Sequence, residues 1–286
     1  MEIKVRPIQA SDAEFCAQVA YQAHASVAAL HNFPSEQPSV EFSTGLVRAK
    51  LSDPNVYSAL AEQDSRIVGS IFLNTFPPAP VGAIGPLTVA PAAEGRVGRS
   101  LMEAALIEAA RRGYKQVRLI QSPSHLRSLA LYTKMGFDVQ EPLVLMQGPV
   151  SNPQATVVEA RTATMADLES CNQLCSKIHG FAREGELRAG IGQGLATVME
   201  REGRIVGYAN GVGFRGHAVA ETNADLKGLI SSGQKTPGPG FFVPTRNGEL
   251  FRWLLDRGFK ALWPAMLMSF GAYQQPRGHF LPSIAY

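Results

Sequence analysis

The apolar positions along the first half of the chain change period several times, and each change marks an element. Ile3-Lys4-Val5 alternates as a strand does, and Ser11-Asp12 then offers an N-cap to a helix over 12–24. Residues 56–62 and 66–74 read as two strands about the polar turn Gln63-Asp64-Ser65, which makes a hairpin. Ala83 to Val89 is a further strand, ended by Pro91. Residues 98–112 carry Met102, Leu106 and Ala109 on one helical face and stop at Gly113. Val117 to Gln121 is a short apolar strand, 124–135 a helix closed by Gly136, and Val139 to Met146 a last strand. The order β-α-(α)-β-β-β-α-β-α-β predicts a mixed α/β sheet with flanking helices.

The second half repeats this pattern. Arg6…Ala10-Ser11-Asp12-Ala13-Glu14…Cys16 resembles Arg161…Met165-Ala166-Asp167-Leu168-Glu169…Cys171 at an offset of 155. Arg66-Ile67-Val68-Gly69 recurs as Arg204-Ile205-Val206-Gly207 at 138, and Gly136-Phe137, Pro142 and Met146 recur as Gly258-Phe259, Pro264 and Met268 at 122. Three anchors in one order, with an offset that only falls, point to a duplicated unit whose second copy is shorter by 33 residues. The polar, proline-punctuated stretch 148–154 separates the copies. The expected division is a first domain over 1–148, a linker over 149–155 and a shortened second domain over 156–286.

Composition narrows the classes. With 45% hydrophobic and 18% charged residues the chain can build real cores, which argues against global disorder. A net charge of +3 without a Lys/Arg block argues against a nucleic-acid partner. Three cysteines without a CxxC pair do not make a disulfide framework. The N-terminus has no apolar signal region and no window nears a membrane span, so a soluble, cytoplasmic protein is expected, with no membrane partner.

Two segments carry candidate chemistry. In Leu87-Thr88-Val89-Ala90-Pro91-Ala92-Ala93-Glu94-Gly95-Arg96-Val97-Gly98-Arg99-Ser100, a strand stops at proline, a loop of small residues follows, and a helix begins. Free amides at a helix start, the positive dipole end and two arginines suit a pyrophosphate; an ordinary glycine-containing turn is the plainer reading. In the second segment His125, Ser128 and Tyr132 form a polar stripe on one face of a helix. A phenol there can stabilise a departing thiolate, or can be a core tyrosine with a satisfied hydroxyl.

Together and in this order the segments resemble the GNAT superfamily of acyl-CoA N-acyltransferases. Val89, Pro91, Gly95, Gly98, Arg99, Leu101 and Met102 match much of its pyrophosphate-loop motif, and Ser128, Leu131, Tyr132, Gly136 and Phe137 match its second motif. The loop reads Arg96-Val97-Gly98 where the family usually has Gly-x-Gly, Glu94 stands where Gln or Arg is common, and His125 replaces the usual Asn.

The resemblance implies two tandem GNAT-like domains, the second shortened and non-catalytic. It implies acetyl-CoA as cosubstrate and a primary amine, small molecule or peptide, as acceptor that attacks the thioester directly. Leu87, Thr88 and Val89 would bind the acetyl and pantetheine groups through their backbone, with the Val89 N–H on the oxyanion. Gly95, Arg96, Val97, Gly98, Arg99 and Ser100 would hold the pyrophosphate, His125 and Ser128 would complete the cofactor site, and Tyr132 would act as general acid. Glu62, Asp64, His31 and Glu141 are general-base candidates by residue type only. A homodimer is one candidate assembly. The competing reading is a non-catalytic acyl-CoA or small-ligand sensor on the same fold.

In the second half, Leu254 aligns with Tyr132 and Asn247 with His125, so the phenol is gone. Thr245-Arg246-Asn247 could bind an anion at a helix start; a capping turn is the simpler reading. Cys171, Cys175 and His179 lie at i, i+4 and i+8 on a helix over 166–179, but no fourth ligand of usual spacing is visible. Buried apolar cysteines are the simpler reading, and no metal is expected.

Overall fold

The computed structural model describes residues 2–32, 35–93, 96–148, 160–232 and 238–286. The expected linker 149–155 lies outside them, as do Glu94 and Gly95. Two compact units form: Met1–Thr75, Val81–Leu119 and Pro123–Asp138 make the first, and Phe76–Pro80, Ile120–Ser122 and Val139–Tyr286 the second.

The first copy of the repeat runs β1 (Ile3–Pro7), α1 (Ala13–His31), α2 (Val40–Leu51), β2 (Val56–Gln63), β3 (Arg66–Thr75), β4 (Val81–Val89), α3 (Val97–Arg111), β5 (Gln116–Gln121), α4 (Leu126–Lys134) and β6 (Phe137–Gln147). In the first unit the strands follow the order β1-β2-β3-β4-β5. α1 runs seven residues beyond the predicted end at 24, because Ala25 to His31 contains no helix breaker; it stops at Asn32, which takes the left-handed conformation (φ 53°). Ile8, Ala13, Cys16, Ala17, Val47, Leu60 and Phe72 bury together beneath it.

The second copy runs β7 (Ala160–Thr162), α5 (Leu168–His179), α6 (Glu184–Gly192), β8 (Thr197–Arg201), β9 (Arg204–Ala209), β10 (Ala218–Ala220), α7 (Asn223–Ser232), β11 (Phe241–Pro244), α8 (Gly248–Asp256) and β12 (Lys260–Gly271), followed by β13 (His279–Leu281). Up to β12 the order matches the first copy element by element. The second unit holds a five-stranded sheet, β13-β10-β9-β8-β7, and the strand run β12-β6-β11. β6 thus leaves the first copy and pairs antiparallel with β11, Phe241 opposite Met146. Val144 and Met146 bury there with Leu226, Leu229, Phe241, Leu250, Leu254 and Phe259. No helix among the described residues is long and apolar enough to cross a membrane.

The two copies share details that a chance likeness would not reproduce. Both hairpins turn on two residues of positive φ, Asp64 (50°) and Ser65 (62°) in one, Glu202 (54°) and Gly203 (72°) in the other. Both carry a bulge at the same place, between Ala61 and Glu62 and between Met199 and Glu200. Both repeated glycines sit where a helix presses on the sheet. A Cβ on Gly69 would meet Thr88 O at 2.7 Å and Leu101 Cδ1 at 3.0 Å, and one on Gly207 would meet Leu229 Cδ1 at 3.2 Å.

The same ion-pair clamp closes each sheet edge. Arg6 reaches Asp12 and Glu62, both at 2.7 Å, and Arg161 reaches Asp167 at 2.7 Å and Glu200 at 3.0 Å. Each aspartate also accepts a backbone amide, Gln9 N at 2.8 Å and Thr164 N at 2.7 Å. The arginine partner, more than the amide, holds both carboxyls below their ordinary range.

A carboxylate held down in the fold stabilises it above its unfolded pKa of roughly 3.9 and loses that contribution as pH falls. Asp167→Asn is therefore expected to lower stability by about 2 kcal/mol at neutral pH. The gap from the wild-type protein should narrow as pH falls below about 4. Urea unfolding at both pH values checks this; equal stability at neutral pH, or a gap that widens in acid, would show that the clamp is not structural.

Candidate active site

The site is built on the sheet's interrupted pairing. β3 and β4 pair Gly69 with Val89, Ser70 with Thr88 and Ile71 with Leu87, then slip by one residue before Leu73 meets Ile84. Ala90 N donates to Val68 O at 2.8 Å. In an antiparallel ladder hydrogen-bonded and non-bonded pairs alternate. The 68/90 pair is bonded, so Thr88 directs its backbone at β3 while Leu87 and Val89 direct theirs away from it. The Thr88 side chain is also engaged, its hydroxyl 3.0 Å from that of Ser70.

On the other side, β4 pairs in parallel with β5 from Val81/Gln116 to Ala83/Arg118. β4 then continues to Val89, while β5 ends at Gln121. The Leu87 and Val89 amides therefore face the side on which the two strands have parted. Asn74 fixes the place of parting: its amide donates to Ala83 O and Gly85 O, each at 2.9 Å, and its carbonyl oxygen accepts from Lys50 Nζ.

α3 begins just past the end of β4. Val97 is buried, and Ser100 N donates to Arg96 O at 2.9 Å. Among the described residues no side chain caps this start, and its first turn has no acidic residue. Arg96 is exposed, while Arg99 bonds Glu103 at 2.8 Å along the helix. Gly98 is the point of convergence: a Cβ there would lie 3.3 Å from Leu131 and 3.7 Å from Val89. The end of β4, the start of α3 and the middle of α4 thus meet at one glycine.

α4 carries the polar stripe as predicted. His125 is its N-cap residue, with its carbonyl accepting the amides of Ser128 and Leu129 at 3.1 Å. The Ser128 hydroxyl contacts His125 Nδ1 and also bonds the Tyr132 phenol. Tyr132 is buried, its ring centroid 6.2 Å from that of Phe137. Burial pushes the phenol up to about 12 against the lowering effect of Ser128. Burial also lowers the His125 imidazole, with His31 and Arg127 adding to the effect.

The base candidates are dispersed. Glu62 belongs to the Arg6 clamp, Asp64 to the hairpin turn, and the buried Glu141 to a pair with the half-exposed Arg246 in the second unit. His31, the last residue of α1, couples electrostatically to His125. The sequence reading missed Asn74 and Ser70, which no motif marks; only the recurrence of Gly69 hinted that backbone closeness mattered there.

Among the described residues the second copy is built differently at the corresponding places. At the start of α7, Asp225 accepts from Thr222 N at 3.1 Å and from the Thr222 hydroxyl at 2.6 Å, and it pairs with Arg201. An internal carboxylate fills the place left uncapped in α3. Asn247 caps α8 by accepting Leu250 N at 3.2 Å, the capping turn expected from the sequence. Leu254 is fully buried.

Residues 27–137 match the model of the acetyltransferase (GNAT) family. That segment of the chain is similar to the GNAT acetyltransferases, a family of acyl transfer. A Pyrococcus horikoshii protein assigned as an acetyltransferase shares the fold over 99% of this chain and 95% of its own, with a TM-score of 0.74 at 17% identity. The likeness of fold therefore extends over the whole chain. The PaiA N-acetyltransferase from Thermoplasma acidophilum, solved with coenzyme A, covers 49% of this chain and 92% of its own at 22% identity and a TM-score of 0.43. No curated protein matches the chain.

The convergence at Gly98 has a mechanical consequence. Gly98→Val forks a side chain into Leu131 and Val89, so it is expected to destabilise the protein by about 1–3 kcal/mol. Thermal unfolding reads this as a lower Tm; an unchanged Tm would mean that α3 and α4 do not close on each other there.

Proposed function

We propose that the first copy is an acetyl-CoA-dependent N-acetyltransferase acting in the cytoplasm on a primary amine, either a small molecule or a peptide. The observation that carries this reading is the meeting at Gly98 of the end of β4, the start of α3 and, through Leu131, the helix α4 that carries Tyr132. The outward amides of Leu87 and Val89 suit the pantetheine arm and thioester. The start of α3 from Arg96 to Ser100, which no side chain caps among the described residues, suits the pyrophosphate through its dipole. The buried phenol of Tyr132 suits the sulfur. Three free, buried cysteines fit a reducing compartment.

In this mechanism the amine nitrogen attacks the acetyl carbonyl and a C–N bond forms. The Val89 N–H stabilises the oxyanion, and the C–S bond then breaks as the carbonyl re-forms. The amine loses its proton to solvent or to a base on the acceptor. The thiolate, of ordinary pKa near 8.5, leaves beside a phenol at about 12. Full proton transfer from that phenol is uphill. Tyr132 therefore acts chiefly by hydrogen bonding to the developing charge, and Ser128 and His125 form the route for replacing a donated proton. Thr88 serves through its place in the β3 ladder, and Arg96 is the exposed cation nearest the pyrophosphate position. In the second copy the Asp225 carboxylate stands where that anion would sit and Leu254 replaces the phenol, which supports a non-catalytic role.

Release of free coenzyme A thiol over a panel of amines tests the proposal. Tyr132→Phe is expected to lower kcat by about 10²-fold with little change in KM for acetyl-CoA. Gly98→Glu should raise that KM more than Gly98→Val does, because both introduce the same crowding and only the first adds a negative charge. Because the phenol remains protonated to about 12, turnover should show no alkaline decline from this group below about pH 10. Undiminished turnover by Tyr132→Phe at saturating substrate would remove the phenol from the mechanism. Binding of acetyl-CoA without thiol release from any amine would leave the protein a sensor.

A further inference from the structure

The second unit buries a set of groups that acyl transfer does not use. Cys175 and His179 lie one turn apart on α5, and the fold brings His217, from the turn before β10, onto them. All three are buried, and one ligand atom from each falls within 4.8 Å of the others. The two imidazoles face each other through their Nε2 atoms at 3.1 Å. The spacing of Cys171, Cys175 and His179 hid this arrangement, because the third ligand comes from 38 residues along the chain.

We propose that Cys175 Sγ, His179 Nε2 and His217 Nε2 form a binding site for a borderline-soft divalent cation, Zn²⁺, that ties the end of α5 to the turn ahead of β10. Thiolate and imidazole are the donors that ion prefers. Two nitrogens bound to one tetrahedral zinc lie about 3.3 Å apart, close to the 3.1 Å found here. Sulfur and nitrogen on the same ion lie about 3.5 Å apart, so the thiol needs to close in by no more than about 1.3 Å. Rotation of the Cys175 side chain supplies that.

The surroundings suit an ion as well. His179 Nδ1 meets the Tyr286 hydroxyl at 2.7 Å, the outer hydrogen bond that turns the other ring nitrogen toward a metal. The His217 backbone is clamped on both sides, its N–H donating to Asn210 Oδ1 at 2.6 Å and its carbonyl accepting Asn210 N at 3.0 Å. Gly180, in the left-handed conformation (φ 83°), ends α5 directly after His179. The Tyr208 phenol lies against Cys175 on a side chain 1% exposed and has no oxygen or nitrogen partner among the described residues. A metal-bound thiolate would give it an acceptor. Phe280 and Tyr286 pack their rings on His179 and keep water out.

On binding, Zn²⁺ displaces the thiol proton, an S–Zn bond replaces S–H, and one proton leaves to solvent. Because that proton must leave for the ion to bind, affinity should fall as pH falls.

The test is metal content. The full-length protein is stripped with chelator, incubated with a slight excess of Zn²⁺, desalted and analysed by mass spectrometry of the element. About one equivalent per chain is expected, with a raised Tm. Cys175→Ala and His217→Ala should each weaken binding by about tenfold or more. Cobalt(II) in place of zinc should give a thiolate-to-metal charge-transfer band in the wild-type protein, a readout that does not depend on the variants folding. Zinc retained at well below stoichiometry, retained equally by both variants, or cobalt bound without the thiolate band would overturn the site and leave a buried Tyr286–His179–His217 hydrogen-bonded chain.

Discussion

The structure of the first unit turns on where β4 stops being a shared strand. An antiparallel neighbour consumes the backbone groups of alternate residues and leaves the others to whatever lies opposite. Had β5 followed β4 to its end, it would have taken those remaining groups and the sheet would have closed. β5 pairs with only Val81 to Ala83, so the amides of Leu87 and Val89 stay available. Asn74 secures this arrangement, because its amide satisfies the carbonyls of Ala83 and Gly85 where the strands part. A buried carbonyl left without a donor at that point would cost about 1–3 kcal/mol and favour reclosing the pair.

The position of α4 follows from the same region. Gly98 in the first turn of α3 lets Leu131 approach, and Tyr132 is the next residue on α4. That phenol belongs to a ring that is buried and packed beside Phe137, with ring centroids 6.2 Å apart. Burial also keeps that phenol protonated up to about 12, so it remains a hydrogen-bond donor at neutral pH. Ser128 partly offsets the burial, and that is the physical content of the 125/128/132 stripe.

Much of this was legible in the sequence where the cause is local. The hairpin turn, the α3 and α4 boundaries and the offsets of the repeat follow from period, glycine and capping residues, and they match the structure to within one or two residues. α1 ran longer than read because Ala25 to His31 carries no stop. Non-local choices were not legible. Nothing in β6 says that it pairs with β11, since an apolar strand accepts either neighbour. His217 joins His179 through a turn whose shape no spacing rule encodes. The division of labour along β4, with Thr88 facing inward and Leu87 and Val89 outward, depends on the register set by the Ala90–Val68 bond and could not be read from residue types.

The two copies show what the frame requires and what it does not. The Arg–Asp–Glu clamp, the two-residue turn, the bulge and the tight glycine recur because each fixes the sheet that both copies must build. The helix starts differ because capping is not needed for the fold to form, only for local stability. A capped start is more stable than an open one by about 1 kcal/mol. α7 has that contribution, since Asp225 and Thr222 satisfy its first amides. α3, on the same frame and among the described residues, does not have it. An open start is the less stable choice for a chain that binds nothing there, and a fitting one for a chain whose cap arrives with its ligand. In the second copy the Asp225 carboxylate already accepts the Thr222 amide and hydroxyl, so among the described residues the two copies differ at this helix start as well as at the position of the phenol.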